Sequence, residues 1–528
     1  MDDPAMSRLK RDIRGKKLRK FLARADDESF LQLIWAVDAL QTDRVPVAKN
    51  FIDFPPAAAT SDLSVPYAMH AWELETLANE LLVVPKIGVS AGRNRFVNCS
   101  QFGAAVAAIN FLRGQEDAEA GLFLRRYPVL TELHRIGQRI FPWQRGYFNT
   151  PQFYRSAFIY GQGRCAEYFR ETTGVSCDEF SLIGFGLRAY LQSNALLQNF
   201  SMQEVGISPN TMQAALSLLC LSVEEAKTKA SLLRQTIGDR HRRLPIAYQP
   251  SILRQFPIVS FGSGNGRLRC PLPELILLRV TTGLYYDLVG GGGDLRNEAS
   301  RRFEEYCHKL LSAMLPKLEV SRSHQYKVQS NLVESPDLFI SKEGAVALVL
   351  ECKATKLTFG AQFANDPIGE ASAGYDELAK GIFQIWRYFS HARRGVVAVD
   401  ISSEVAGVIL THDTWLVLSR ELQEDLLERA NALANKDPEI LANDRRKVVF
   451  CAVQELEGLL MVSDEQRFLG AIAVVTEDRF VGWQLPNVHR EIGNDLKEIK
   501  PYPFDPEEVL PTWKKLSAMR GSEVKAAT

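Results

Sequence analysis

The sequence lacks most of the patterns that mark secreted, membrane-embedded or zinc-binding proteins. Its eight cysteines form no Cys-x-x-Cys pair, and none stands at metal-ligand spacing from a histidine, which argues against a zinc ribbon and a disulfide framework. No apolar run approaches the length that crosses a bilayer, and the first residues lack the apolar centre of a signal peptide. We therefore expect a soluble, cytoplasmic protein with no membrane partner.

Net charge is also absent, because 63 Lys and Arg residues balance 63 Asp and Glu residues. No global field attracts nucleic acid, so such binding requires local basic patches. One patch is the run RLKRDIRGKKLRKFLAR at 8–24, which can either follow a phosphate backbone or form a solvated helix face. No Walker motif is present, which argues against an ATPase.

The length of 528 residues predicts about three domains. Residues 1–245 are predicted to form a mostly helical domain that selects a substrate or partner. Helical spacing and capping residues place helices there at 71–83, 150–171 and 222–238, the last with a capping box of Ser222 and Glu225. A connector rich in strands and turns follows at 246–293; it includes a helix at 273–289 and ends in a glycine linker.

Residues 294–415 are predicted to form a compact α/β unit in the order helix, strand, strand, helix, strand, strand. The helices are expected at 294–315 and 375–395. The strands are expected at PDLFIS, AVALVLECKAT, VVAVDIS and VAGVILTH. A mixed α/β C-terminal region, 416–528, should contain one helix around SRELQEDLLERANALANK and strand-like segments at VVFCAV and FLGAIAVV.

A small set of charged residues interrupts the apolar strands of this unit. Glu351 and Lys353 are two residues apart in one strand and therefore point to the same side, whereas Cys352 points into the apolar layer. If the two strands form a hairpin with its turn at SKEGA, Asp337 lies beside Glu351. The alternative is an ordinary surface hairpin with charged edges. Two carboxylates and an amine at one sheet edge suit Mg²⁺ or Mn²⁺, which prefer oxygen ligands, water and phosphate oxygens.

The pattern Pro336-Asp337 followed by Glu351-Cys352-Lys353 resembles the signature of the PD-(D/E)xK nuclease superfamily, over residues 294–415 only. The resemblance implies a restriction-endonuclease-like fold, in which helices flank a mixed sheet. It also implies that Asp337, Glu351 and the backbone carbonyl of Cys352 bind the metal. Lys353 would then position or activate the attacking water.

The flanking helices extend the resemblance. Glu304, in the preceding helix, would assist with the metal or its waters, and Glu305 and Glu298 are weaker candidates. Gln384 and Tyr388 match the Gln-x-x-x-Tyr pattern of RecB-like nucleases. Gln384 would support the substrate or the water, or it is an exposed helix residue. Tyr388 fits packing better than chemistry.

Three arginines on the second helix, Arg387, Arg393 and Arg394, are candidates for holding DNA near the metal. The function implied is a metal-dependent DNA endonuclease in bacterial restriction, anti-phage defence or repair, acting as a homodimer or with a helicase or sensor partner. Two alternatives stay open: a non-cutting nucleic-acid-binding or scaffolding protein, and a ribonuclease of the same fold.

Overall fold

The computed structural model describes residues 4–87, 96–123, 129–147, 149–240, 244–262, 266–357, 361–363, 366–413, 420–480, 482–493 and 495–515. The α-helices are α1 (Pro4–Leu22), α2 (Asp27–Leu40), α3 (Val45–Ala48), α4 (Ala71–Val83), α5 (Phe102–Phe123), α6 (Val129–Arg145), α7 (Thr150–Tyr160), α8 (Gly163–Thr173), α9 (Cys177–Ser193), α10 (Pro209–Leu219), α11 (Val223–Arg240), α12 (Glu274–Val280), α13 (Leu284–Val289), α14 (Gly293–Met314), α15 (Pro367–Glu370), α16 (Ser372–Arg393), α17 (Arg420–Ala434), α18 (Val453–Met461), α19 (Glu465–Val475) and α20 (Leu485–Glu491).

The strands are β1 (Cys220–Ser222), β2 (Ile258–Phe261), β3 (Arg267–Arg269), β4 (Glu319–Arg322), β5 (Gln325–Val328), β6 (Asn331–Glu334), β7 (Leu338–Lys342), β8 (Ala345–Lys353), β9 (Ile401–Thr411) and β10 (Val448–Ala452). The protein is thus mixed α/β, as predicted. Across the described ranges, no helix combines the length and the apolar character that a bilayer crossing requires.

Two compact units make up the chain. Unit 1 comprises Met1–Asn149, Ala166–Gly290 and Val509–Thr528, and unit 2 comprises Thr150–Cys165 and Gly291–Glu508. The main segment of unit 2 begins within the glycine run and includes strand β10. The boundary predicted at 415–416 lies outside the described residues.

Unit 1 contains helices and one small sheet. The helix predicted at 71–83 is α4, and the one predicted at 222–238 is α11. The capping box is present as well, because Ser222 Oγ lies 2.7 Å from Glu225 Oε2 and the Glu225 amide donates to Ser222 Oγ at 3.3 Å. In the sheet, β1 and β2 are parallel and β3 is antiparallel to β2.

Two long helices expected from the sequence are each broken. Residues 150–171 form α7 and α8, because the helix is interrupted at 161–162 and Gly163, the first residue of α8, adopts a left-handed conformation with φ 56°. Residues 273–289 form α12 and α13, because the backbone leaves the helical region at Thr281, with φ −118° and ψ −93°. In both cases a short irregular segment interrupts an otherwise helical pattern.

Unit 2 is built on a mixed five-stranded sheet with the order β10-β9-β8-β7-β4. Strands β8, β9 and β10 run parallel, and β7 is antiparallel to both β8 and β4. Helix α16 connects the parallel strands β8 and β9, as such a crossover requires. It covers one face of the sheet, where Ile382, Ile385 and Trp386 pack with Val349 and Ile409. The predicted mixed sheet flanked by helices is therefore confirmed.

The hairpin of β7 and β8 has the predicted turn. Its two central residues, Glu343 and Gly344, both have positive φ angles of 53° and 86°, which suits the right-handed twist of a tight hairpin. Leu338 pairs with Leu350 across the hairpin. Asp337, the preceding residue, is therefore next to Glu351, as the sequence predicted.

Two sequence predictions in unit 2 are corrected by the structure, which also contains three strands that were not predicted. Of the predicted strand VVAVDIS, only Ile401 and Ser402 are in a strand, and they belong to the same strand, β9, as residues 405–411. The amides of Val396 and Val397 instead bind the carbonyl of His391. FLGAIAVV is helical, since it lies in α19. The Asp464 side chain caps that helix by accepting from the Arg467 amide at 2.9 Å. Strands β4, β5 and β6 were not predicted.

Candidate active site

The ends of β7 and β8 bring together the charged residues that the sequence singled out. Val349, Glu351 and Lys353 alternate along β8 and point toward α16, and Val349 belongs to the core on that side. Asp337 lies at the start of β7, and Glu304 lies on α14. Asp337, Glu351, Lys353 and Glu304 are close enough for each charge to affect the others.

Two short hydrogen bonds fix the carboxylates. The Cys352 amide donates to Asp337 Oδ2 at 2.6 Å, and Lys353 Nζ donates to Glu351 Oε1 at 2.7 Å. Glu351 Oε2 is buried and has no hydrogen-bond partner. A buried carboxylate oxygen without a donor is uncommon in a folded protein, and an oxygen in this position is available to bind a cation.

All three carboxyl groups hold their protons more tightly than usual. Burial raises the pKa of Glu351 to about 8, and the neighbouring Asp337 adds to that shift. Burial likewise raises the pKa of Glu304 to about 7, again with a contribution from Asp337. The pKa of Asp337 is raised too, mainly by burial. Several carboxyl groups and only one amine share this confined space, so the cluster carries excess negative charge when its carboxyl groups are ionised. A divalent cation would neutralise that excess.

Lys353 remains a cation in this setting. Burial alone would lower the pKa of its amine, but the carboxylates of Glu351 and Asp337 raise it above its ordinary value. The Lys353 side chain is 17% exposed, so part of it is open to solvent. Lys353 is therefore suited to orienting water and stabilising negative charge rather than to accepting a proton.

Gly381 on α16 is a site residue that the sequence analysis missed. A Cβ atom at this position would lie 3.0 Å from both Glu351 Cγ and Lys353 Cε. The absence of a side chain lets α16 approach the two charged residues closely. The only available signal was a glycine inside a strongly helical segment.

Gln384, one turn further along α16, is half-buried and has no hydrogen-bond partner among the described residues.

The three arginines proposed to hold DNA are not gathered at the site. Arg393 binds Asp444 at 2.9 Å and Arg394 binds Glu439 at 3.2 Å. Both lie near the C-terminal end of α16, about 18 Å along the axis from Gly381 at 1.5 Å per residue. Arg387 is closer, and its guanidinium stacks 5.6 Å from the Phe383 ring centroid.

The weaker candidates and the tyrosine also have other partners. Glu305 pairs with Arg301 at 3.6 Å, and Glu298 pairs with Arg302 at 3.2 Å. Tyr388 is buried against Phe339, with a ring separation of 5.0 Å, which agrees with a packing role.

Buried polar residues lie next to the backbone of Lys353 at the end of β8. The His412 amide, directly after β9, donates to the Lys353 carbonyl at 3.0 Å. The His412 ring lies 5.3 Å from Phe303 on α14, and its Nε2 lies 3.4 Å from the Tyr160 hydroxyl. Arg155 on α7 pairs with Glu457 on α18. None of these supporting residues was predicted.

A second constellation has the hydrogen bonds of a Ser-His-Asp triad. His489 Nδ1 lies 2.7 Å from Asp495 Oδ1, and its Nε2 lies 2.9 Å from Ser463 Oγ. Ser463 is fully buried, and its hydroxyl also lies 3.1 Å from the Asp464 carbonyl. The nucleophile of a catalytic triad must be accessible to a substrate, and Ser463 is not. This arrangement therefore joins α20 to the start of α19 and is not a second active site.

The donor set fits a metal that keeps several waters. In the described part of the chain, no three His, Cys, Asp or Glu side chains are arranged to hold a metal by themselves. Asp337 and Glu351 provide two carboxylates, one with an unpartnered buried oxygen. Mg²⁺ is commonly held by one or two carboxylates together with water and substrate phosphate, so these residues suit it.

Comparisons of the chain with family models, with curated proteins and with solved structures find no match. The site itself therefore carries the functional argument.

Proposed function

We propose that unit 2 is a divalent-metal-dependent nuclease of the PD-(D/E)xK type that hydrolyses phosphodiester bonds in DNA. The observation that carries this proposal is the unbalanced carboxylate cluster at the ends of β7 and β8. Glu351 Oε2 is buried without a donor, while Asp337 and Lys353 lie beside it. The cluster suits a cation and a phosphate better than a purely structural ion pair does, because two further carboxyl groups, Asp337 and Glu304, lie beside the Glu351–Lys353 pair.

The topology supports the same proposal. Helix α14 precedes strands β4, β7 and β8, in which each neighbouring pair is antiparallel. Helix α16 then leads to β9, which is parallel to β8. This is a helix-flanked mixed sheet of the kind that the resemblance implies. The motif residues occupy adjacent ends of its two central hairpin strands.

The side chains take distinct roles under this proposal. Asp337 and Glu351, with the carbonyl of Cys352, would hold Mg²⁺ or Mn²⁺, and Glu304 would bind its waters. The bound cation would make a water more acidic and neutralise charge that develops on the phosphate. Lys353 orients the attacking water and stabilises the developing negative charge through its ammonium group. Gln384 lies one helical turn beyond Gly381, where it can contact the substrate strand.

A role in bacterial restriction, anti-phage defence or DNA repair follows from the resemblance and belongs to the proposal. So does a homodimer, because enzymes with this fold commonly use two active sites to cut both strands of a duplex. A companion helicase or sensor protein belongs to it on the same basis.

The test compares wild type with Lys353→Ala on supercoiled plasmid, with Mg²⁺, with Mn²⁺ and with chelator. Lys342→Ala is the matched control, because Lys342 is exposed at the other end of the same hairpin. We expect nicking or linearisation that requires metal and falls at least about a hundredfold in Lys353→Ala, a loss typical of removing one group that stabilises transition-state charge. The control should cut like wild type.

Parallel reactions contain single-stranded DNA and RNA. Cleavage of RNA alone would make the enzyme a ribonuclease of the same fold. Absence of metal-dependent cleavage on plasmid, single-stranded DNA and RNA would overturn the nuclease proposal.

A further inference from the structure

Helix α1 is strongly basic, although the chain as a whole has no net charge. Its 19 residues contain eight Lys or Arg and one acidic residue, Asp12, whereas the whole chain is neutral. The helix is anchored in unit 1, because Leu18 and Leu22 are buried and the Phe21 ring lies 5.7 Å from that of Phe111 on α5. The positive charge therefore lies on a fixed element and not on a frayed end.

The exposed surface of α1 is basic along its length. The exposed basic residues are Arg8, Lys10, Arg14, Lys16, Lys17, Arg19 and Lys20. Asp12 contacts the half-buried Arg11 at 2.8 Å. Apart from Lys10, none of the seven has an ion-pair partner among the described residues. A solvated helix face more often alternates charges of both signs.

This arrangement is unfavourable for the helix alone. Lys16 and Lys20 are four residues apart, and Lys17 and Lys20 are three apart, so their like charges face each other. Each such pair destabilises a helix by about 0.2–0.5 kcal/mol. An anionic partner that lies along the helix would remove this repulsion.

The apolar residues on the exposed surface of α1 distinguish between two anionic partners, a membrane surface and a nucleic acid. Three apolar side chains in the first half of α1 are exposed: Met6 at 49%, Leu9 at 55% and Ile13 at 44%. An exposed apolar stripe of this kind is typical of a helix that lies on a membrane surface. One heptad later, the positions equivalent to Leu9 and Ile13 are Lys16 and Lys20. The apolar stripe therefore stops halfway, and the helix lacks the continuous apolar face that insertion at a membrane surface requires.

We propose that the exposed surface of α1 binds the phosphate backbone of duplex DNA. The choice of DNA among polyanions rests on the proposed nuclease function, whereas the binding surface itself rests on the charge and exposure of α1. Binding of this kind reads no sequence, because the protein touches only phosphates.

The test measures binding of a short labelled duplex by fluorescence anisotropy, with chelator and in the Lys353→Ala background, so that nothing is cut. The variant is Lys16→Gln, Lys17→Gln, Lys20→Gln. The matched control is Lys49→Gln, Lys436→Gln, Lys497→Gln, which removes the same charge from exposed lysines elsewhere. Circular dichroism verifies that both variants are folded.

We expect the α1 variant to bind at least about tenfold more weakly than the control at low salt. The slope of log affinity against log salt concentration should become shallower by about 0.9 for each phosphate that the variant no longer neutralises. Equal affinity and equal slope in variant and control would overturn the inference, as would wild-type binding to phosphatidylserine vesicles but not to DNA.

The two proposals fail in different ways. If DNA binds through α1 and no nucleic acid is cut, the nuclease proposal fails and this inference stands. If plasmid is cut equally well by the α1 variant and wild type, and both bind alike, only this inference fails.

Discussion

Two buried glutamates, Glu75 in unit 1 and Glu351 in unit 2, show opposite electrostatics at similar burial. Their side chains are 4% and 3% exposed. Arg254 contacts Glu75 through Nε at 2.7 Å and Nη2 at 3.1 Å, and Trp143 donates to it at 2.9 Å. Burial would raise the pKa of Glu75, but these donors lower it below its ordinary value, whereas the pKa of Glu351 is raised to about 8.

The difference shows that this chain can satisfy a buried carboxylate and does so at Glu75. Both oxygens of Glu75 have partners, and its bidentate arginine is the geometry that stabilises such a group best. Glu351 has one amine, one unpartnered oxygen and a second carboxyl nearby. An arrangement that is poor for stability while being held rigidly is typical of a functional site.

The largest expected effect comes from breaking the satisfied pair. Arg254→Ala leaves Glu75 as an uncompensated buried charge, and we expect a loss of about 3–5 kcal/mol in the free energy of unfolding. Lys353→Ala should cost about 1 kcal/mol or less, since the Glu351 carboxyl already binds a proton readily. Hydrogen exchange at α4 and β8 measures the stability of each unit separately.

This pair of variants also tests whether the site is merely structural. If Lys353→Ala destabilises β8 as much as Arg254→Ala destabilises α4, then Glu351 and Lys353 form an ordinary buried ion pair. The contrast between the two glutamates would then carry no functional meaning.

The next effect concerns pH. The pKa of Glu351 rises on folding from its ordinary value of 4.5 to about 8. The stability that it contributes is therefore fully present below about pH 4.5 and is lost as pH rises through about 8, by at most about 1.4 kcal/mol per pH unit for one proton. Without metal, thermal unfolding should therefore occur at lower temperature as pH increases in this range, and less steeply in Glu351→Gln.

Added Mg²⁺ should oppose this loss, and more at about pH 8 than at about pH 6, because the metal requires ionised ligands. Glu319→Gln, an exposed carboxyl on β4, serves as the control and should follow wild type. A pH profile of Glu351→Gln that coincides with wild type would show that this carboxyl does not titrate as its surroundings indicate.

The core of the site was predictable because it depends on local periodicity. A two-residue side-chain repeat and a tight turn are enough to place Asp337 beside Glu351, and the observed pairing of Leu338 with Leu350 agrees. The same alternation correctly directs Glu351 and Lys353 to one face. These relations extend over fewer than twenty residues, so they need no knowledge of tertiary structure.

What escaped prediction depends on contacts between distant segments. Gly381 matters only because α16 packs on β8, and His412 only because the end of β9 lies beside Lys353. Likewise, the residues FLGAIAVV carry apolar side chains that suit either a strand or a buried helix. The cap at Asp464 and the burial of Phe468 and Ile472 decide for the helix.

The smallest expected effect on stability comes from Gly381→Ala, compared with Gly458→Ala in α18. Alanine favours a helix by about 1 kcal/mol over glycine. At position 458 the new Cβ would meet no atom within 4 Å, so we expect that gain in stability and unchanged cleavage. At position 381 it would lie 3.0 Å from Glu351 Cγ and Lys353 Cε, and these side chains would have to shift.

At position 381 the helix gain and the crowding should nearly cancel, which leaves unfolding within about 1 kcal/mol of wild type. Cleavage should nevertheless fall at least about tenfold, since a small misplacement of active-site groups is sufficient to lose activity. Plasmid cleavage and urea unfolding of both variants measure the two quantities. Equal cleavage by Gly381→Ala and Gly458→Ala would mean that the positions of Glu351 and Lys353 under α16 do not limit the reaction, and the contrast with the inert, satisfied Glu75 would lose its mechanistic basis.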